Sequence, residues 1–134
     1  MTSPLELPDA LKDVLDSKAF AHLTTLDADG TPHTTAMWVM RDGDLIVFNT
    51  AAGRRKLRNM ERDPRVAISI SEEGDEYVNW SIQGRVIEIR ESDGVDVIDA
   101  LARKYTDADR YEWLTPGMVR LTVIVEATRI ASNG

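Results

Sequence analysis

Alternation of apolar and polar positions divides the chain into six stretches that read as strands. AFAHLTTLD (19–27) leads through the turn DADG into PHTTAMWVM (32–40), and RDGD turns the chain again into LIVFNT (45–50). Three strands at this spacing form an antiparallel meander. RVAISIS places Val66, Ile68 and Ile70 on one face. In the longer fifth strand Val78, Trp80 and Ile82 share a face opposite Tyr77, Asn79, Ser81 and Gln83. After Gly84 the apolar parity moves to Ile87 and Ile89, a slip that marks a bulge or sharp bend for which glycine is suited. MVRLTVIVEATRI closes the pattern with Val119, Leu121, Val123 and Val125 in alternation.

Three stretches follow the helical period instead. Pro8 and Asp9 open one, with Leu7, Leu11, Val14 and Leu15 on a single stripe, suited to lie over one end of a sheet. Arg54 to Arg62 is a second, carrying Leu57 and Met60 inward and ended by Asp63-Pro64, because the residue before a proline disfavours helical geometry. Ser92 is the expected cap of the third, whose stripe is Val97, Ile98, Leu101, Ala102 and Tyr105. DADRYEW then reads as an irregular, aromatic-bearing connection. Short hairpins with helices at the ends and in one crossover describe a small antiparallel barrel, mainly β, in one domain over residues 1–134. No GxGxxG motif follows a strand, so a dinucleotide fold is not indicated.

Two strands depart from simple alternation. LIVFNT is apolar throughout, as a strand buried on both faces would be. In His33 to Met40 the residues Ala36, Trp38 and Met40 are apolar, and so are Met37 and Val39 between them. One face fills the barrel. The other requires a cover, so Met37 and Trp38 are either core or part of a subunit seam lined by a ligand.

Charge changes the picture at one place. The chain carries a net −7, yet Arg54, Arg55, Lys56, Arg58, Arg62 and Arg65 crowd into NTAAGRRKLRNMERDPRV (49–66), opposed only by Glu61 and Asp63. That stretch is +4, leaving −11 elsewhere. Cations in a first helical turn oppose the helix dipole by about 0.3–1 kcal/mol each. They make sense there if an anion binds beside the free N–H groups of the turn. The competing reading is a solvated basic face.

Other chemistry is narrowed by composition. Without cysteine, disulfides, thiol catalysis and thiolate zinc sites are excluded. Two separated histidines and no HExxH or DxDxDG pattern argue against a metal site, and His22 and His33 read as ordinary strand residues. An acidic remainder argues against nucleic acid as partner. No apolar run approaches bilayer length and MTSPLELPD lacks the form of a signal peptide, so no membrane association and a cytoplasmic location are expected.

Residues 23–70 carry D-G-x-P, an apolar strand with Trp, and N-T-x-x-x-R-x-K-x-R-N-hydrophobic-x-x-D-P-R-V; W-x-x-Q-G-R-V and KYTDADRYEW follow. In combination these resemble the pyridoxamine 5′-phosphate oxidase-like split β-barrel proteins, in particular the deazaflavin (F420)-dependent oxidoreductases. The resemblance implies a six-stranded antiparallel split β-barrel with short flanking helices, acting as a homodimer with cofactor grooves between subunits. By the same resemblance Arg54 and Lys56, with Arg55 and Arg58 close by, hold the cofactor phosphate. Ala36, Met37, Trp38 and Val39 border the ring, Asn49 and Thr50 sit beside the ribityl chain and phosphate, and Gln83 and Gly84 approach from the other subunit. Coenzyme F420 is the cofactor implied, favoured by the extra arginines because its oligoglutamate tail adds carboxylates, with FMN the alternative. The activity implied is hydride transfer to a conjugated small-molecule acceptor. An FMN-dependent enzyme acting on a vitamin B6 phosphate and a non-catalytic flavin or deazaflavin binder are the alternatives. No catalytic residue is singled out, since the cofactor carries the hydride; Tyr105 and Tyr111 are candidates to protonate a product.

Overall fold

A computed structural model describes residues 5–133. Seven strands, β1 (Ala21–Leu26), β2 (Pro32–Met37), β3 (Met40–Asp42), β4 (Leu45–Ala51), β5 (Arg65–Glu72), β6 (Asp75–Arg90) and β7 (Arg120–Asn133), make one antiparallel sheet. Three helices accompany it: α1 (Asp9–Asp16), α2 (Arg55–Arg62) and α3 (Gly94–Tyr105). The strand order is β2-β1-β5-β6-β7-β4-β3. The outermost strands, β2 and β3, are therefore consecutive in sequence. The sheet curls until its edges are joined by two residues of chain, Trp38 and Val39, without edge-to-edge pairing, and this is the split of a split β-barrel.

That geometry corrects the expected strand count from six to seven. PHTTAMWVM does not run as one strand, because Trp38 and Val39 must carry the chain from one edge to the other. The end of α3 plugs the gap. The Tyr105 hydroxyl donates to the Ala19 carbonyl (2.7 Å) and accepts from the Val39 N–H (3.1 Å), while Lys104 Nζ donates to the carbonyls of Leu15 and Val39. Unpaired edge groups are thereby satisfied by side chains. Met37 and Val39 point into the core, and Trp38 lies flat on Tyr105 at 5.4 Å and 5°. The cover that the second apolar face needs comes, for Trp38, from the same chain.

Phe48, Ile46, Leu23, Ile68, Ile70, Ile82, Val123 and Val125 fill the barrel, closed at one end by Leu7 and, from α1, Leu11, Val14 and Leu15. Each such side chain contributes about 1.5–3 kcal/mol on burial. Asp44 fixes the approach to α1 by accepting from the Leu7 N–H at 3.0 Å. β4 is buried on both faces, as its composition predicts.

The bend in β6 is a double one. Opposite Gln83 and Gly84 the extra residue is Thr128 of β7, and three residues on the extra residue is Ile87 of β6 itself. Val86 thus stays on the core side, Ile87 is 47% exposed, and only Ile89 takes the shifted parity. Ile87 does not share the inward face expected of it. Gly84 is required where the strands close: a Cβ would lie 2.8 Å from the Glu126 carbonyl. α3 begins at Gly94 rather than after a Ser92 cap; no side chain caps it, and Asp93 pairs instead with Arg90 at 2.8 Å. Among the described residues no helix is long and apolar enough to cross a membrane, and no three His, Cys, Asp or Glu side chains converge as a metal site.

Candidate functional site

β4 delivers the site. Its last residues, Asn49, Thr50 and Ala51, are buried against β7, where Ala51 pairs with Arg120 and the Ala52 N–H donates to the Val119 carbonyl at 2.9 Å. Gly53 then adopts φ +91°, a left-handed conformation that glycine takes without strain, and Arg54, still extended, is the N-cap residue of α2. α2 has no side-chain cap and no acidic residue in its first turn. Among the described residues no protein anion meets its first N–H groups and dipole.

The basic stretch separates into two sets. Arg55 forms a fork with Asp27 (Nε to Oδ1, 2.9 Å), which holds the Asp27 carboxyl well below the usual carboxylate range, with Asn59 the next contributor. Arg62 donates to the Leu26 carbonyl (2.7 Å) and to Asn59 Oδ1 (2.9 Å). Asn59, 3% exposed, donates in turn to Thr25 (3.0 Å) and Asp27 (2.9 Å), fastening α2 to β1. Arg58 donates to the Gly53 carbonyl at 2.8 Å, and Arg65 pairs with Asp63 at 2.8 Å. Arg62 is therefore an anchor, not the solvated side chain its spacing suggests.

Arg54 and Lys56 form the other set. Among the described residues neither meets a carboxylate. Lys56 Nζ has only the Met37 sulfur, at 3.1 Å, a weak acceptor. Burial pushes the Lys56 ammonium below its ordinary value, and the nearby Arg54 and Arg120 push the same way.

Both line a pocket of about 300 Å³, at the small end of the range for small-molecule sites. It gathers Ala36, Met37 and Trp38 from β2 and the crossing, and Asn49 and Thr50 from β4, together with Arg54 and Lys56. Others of the sequence-predicted set lie elsewhere. Val39 is fully buried behind Trp38, Arg55 and Arg58 do not line the pocket, and Gln83 and Gly84 line a separate groove with Arg65 and Thr128. His22 and His33 occupy β1 and β2, outside it.

Aromatic surface is concentrated at this site. Trp38 meets Tyr111 edge-on at 6.3 Å, Tyr111 meets Trp113 at 5.4 Å, and Phe20 meets Tyr105 at 5.3 Å. Tyr111 is held by its N–H donating to Asp99 at 2.8 Å, so the irregular segment before β7 becomes a pocket wall. Sequence reading marked Tyr111 and overlooked Trp113 and, above all, Arg120. Arg120 is 8% exposed, its Nε donates to Asn49 Oδ1 at 2.9 Å, and its guanidinium lies 5.1 Å from the Tyr111 ring centre. A charge just before the apolar run of β7 was the available signal.

Seven antiparallel strands split at one crossing, with uncompensated cations beside an aromatic wall, define a split β-barrel with an anion-and-ring pocket. The family model described as pyridoxamine 5′-phosphate oxidase matches residues 7–130, and the chain belongs to that family. Among solved structures, an F420 reductase is 27% identical, with a TM-score of 0.83 over 93% of this chain and 98% of that one. A conserved hypothetical protein from Mycobacterium tuberculosis is 24% identical (TM-score 0.72; 98% and 88% covered). HupZ from Group A Streptococcus is 16% identical (TM-score 0.68; 94% and 93% covered). The latter two share the fold. No curated protein matches the chain in sequence at a significant level.

Proposed function

We propose that this protein is a deazaflavin (F420)-dependent oxidoreductase, transferring hydride from the reduced cofactor to a conjugated small-molecule acceptor, and that it works as a homodimer. The observation that carries this reading is the pair Arg54 and Lys56, without a carboxylate partner among the described residues, at the edge of a pocket walled by Trp38, Tyr111 and Trp113. Lys56 is half-buried, where unpaired charge is costly, and Arg54 stands exposed at the rim; an anionic ligand between them relieves the one and engages the other. The donor set suits a phosphate, and the aromatic wall suits a flat conjugated ring. Likeness to an F420 reductase supports the deazaflavin over FMN.

The bound deazaflavin supplies two electrons as hydride, which protein side chains cannot do. The chain's own part is to bind, orient and exclude water. Arg54 and Lys56 fix the phosphate, each charge-assisted bond contributing about 1.5–3 kcal/mol toward the roughly 8 kcal/mol of a micromolar complex. Trp38, held flat by Tyr105, sets the plane of the wall. Tyr111 is our candidate proton donor to the reduced acceptor; Tyr105 is not, because its hydroxyl is engaged by Ala19 and Val39.

The test is a fluorescence titration of the purified protein with F420 and, separately, FMN, followed by turnover with quinone, enone and nitroaromatic acceptors. Micromolar or tighter F420 binding and acceptor-dependent oxidation of the reduced cofactor are expected. Protein that purifies yellow with bound FMN and ignores F420 establishes the FMN-dependent alternative. A spectral shift without turnover establishes a binder.

A further inference from the structure

Arg120 has no role in the phosphate site as family resemblance draws it, yet its placement is that of a receptor. It is almost fully buried, borders the same small pocket as Arg54 and Lys56, and meets no carboxylate among the described residues. Its Nε is fixed by Asn49 Oδ1, and Asn49 is itself fixed by donating from Nδ2 to the Gly94 carbonyl at 2.8 Å. The backbone beneath is equally constrained, since a Cβ on Gly94 would fall 1.9 Å from the Arg120 carbonyl oxygen. The Tyr111 ring flanks the guanidinium. What remains is the Nη edge, which has no protein acceptor among the described residues. A guanidinium oriented at one edge and open at the other fits two oxygens of an anion.

The strand register sets that open edge beside the turn that leads into α2. Arg120 pairs with Ala51, three residues before Arg54, and its neighbour Val119 accepts from the N–H of Ala52 in the connecting turn. Arg120 thus approaches from the sheet the spot that Arg54 and Lys56 approach from α2. We infer that Arg120 is a third, buried arm of the phosphate site, that Asn49 is the residue positioning it, and that the pocket selects phosphorylated over phosphate-free ring compounds. This rests on reading the pocket as a cofactor-phosphate site.

The experiment compares wild type, Arg120→Leu, Arg120→Lys and Asn49→Asp, the last placing a competing carboxylate against Arg120 with little change of shape. F420 and the deazaflavin riboside lacking the phosphate are titrated by fluorescence, and melting is followed in sodium phosphate against chloride at equal ionic strength. Arg120→Leu and Asn49→Asp are expected to weaken F420 by at least about tenfold, with Arg120→Lys between, while in Arg120→Leu the riboside changes by less than about twofold. Wild type melts higher in phosphate; Arg120→Leu loses that increment. Equal losses for F420 and riboside, or unchanged F420 affinity in Arg120→Leu, overturn the inference and leave the oxidoreductase reading standing. A phosphate increment that depends on Arg120 in a protein binding neither F420 nor FMN supports the Arg120 site and overturns that reading. A phosphate increment absent from wild type, or unchanged in Arg120→Leu, overturns the Arg120 site.

Discussion

The two sides of one basic helix do different work. Arg55 and Arg62 face β1, where Asp27, Asn59 and the Leu26 carbonyl take up every cation offered. Arg54 and Lys56 line the pocket beside β4 and β2, where among the described residues no carboxylate meets them and the best partner of Lys56 is a thioether. Residues adjacent in sequence, such as Arg55 and Lys56, thus have opposite energetics. One side is a finished interaction and the other an unfinished one. A net charge of +4 over a stretch says little until each cation is assigned to a side. The cations without partners indicate a ligand, and those with partners indicate how the helix is held.

This comparison is broken most severely from the finished side. Asn59→Ala removes two bonds donated to Thr25 and Asp27 and one accepted from Arg62, and leaves the Thr25 hydroxyl, in a residue 1% exposed, without its partner. A loss of about 2–3 kcal/mol of stability is expected from such a buried network. Urea unfolding measures it, and a change below about 0.5 kcal/mol would show that α2 is not anchored this way. Lys56→Ala is expected to do the opposite. Cofactor affinity falls at least about tenfold, or 1.4 kcal/mol. Stability is unchanged or slightly higher, because an unpaired, half-buried charge is removed. Unchanged deazaflavin affinity in this variant defeats the assignment.

The asymmetry was only half legible in the sequence. Leu57 and Met60 announced the buried face of α2, and Gly53 and Pro64 its limits, because turn and helix chemistry are local. Partner identity is not local: Asp27 lies 28 residues from Arg55, and Arg120 lies 71 from Asn49. Nothing in their own windows distinguishes a paired arginine from an open one. The strand count failed for a related reason. Met37-Trp38-Val39-Met40 is apolar without interruption, so periodicity could not reveal a crossing between sheet edges, which only the complete strand order defines. The bulge in β6 was signalled by parity, but its two steps lie on different strands, and a single-strand reading sees only one.

A smaller effect sharpens the unfinished side. The Lys56 ammonium sits below its ordinary value in the free protein, chiefly through burial, and a bound phosphate would raise it again. Affinity is then flat at pH values where Lys56 is charged in the free protein. It falls as pH rises through the lowered value, by at most about tenfold per pH unit, because binding must take up a proton. Lys56→Arg, which stays charged, removes that slope. Titrations across the alkaline range decide it, and an identical slope in the two proteins would assign the dependence to another group.

The smallest effect belongs to Arg55. Its ion pair with Asp27 is exposed on the arginine side, 53% by side-chain area, so Arg55→Ala is expected to cost far less stability than Asn59→Ala. Cofactor affinity should change less than about twofold, against about tenfold for Lys56→Ala one residue away. The pH dependence carries the sign. Asp27 is held below its unfolded value of 3.8, so the pair stabilises the fold above that value, and the contribution is lost as pH falls through the folded value. Without Arg55 the carboxylate keeps Asn59 as its donor, so the acid-linked loss shrinks but does not vanish. Arg55→Ala should therefore differ from wild type near neutral pH and converge on it in acid. A tenfold loss of cofactor affinity in Arg55→Ala, with that convergence absent, would mean that Arg55 leaves Asp27 to join the ligand, and the two sides of α2 would no longer be distinct.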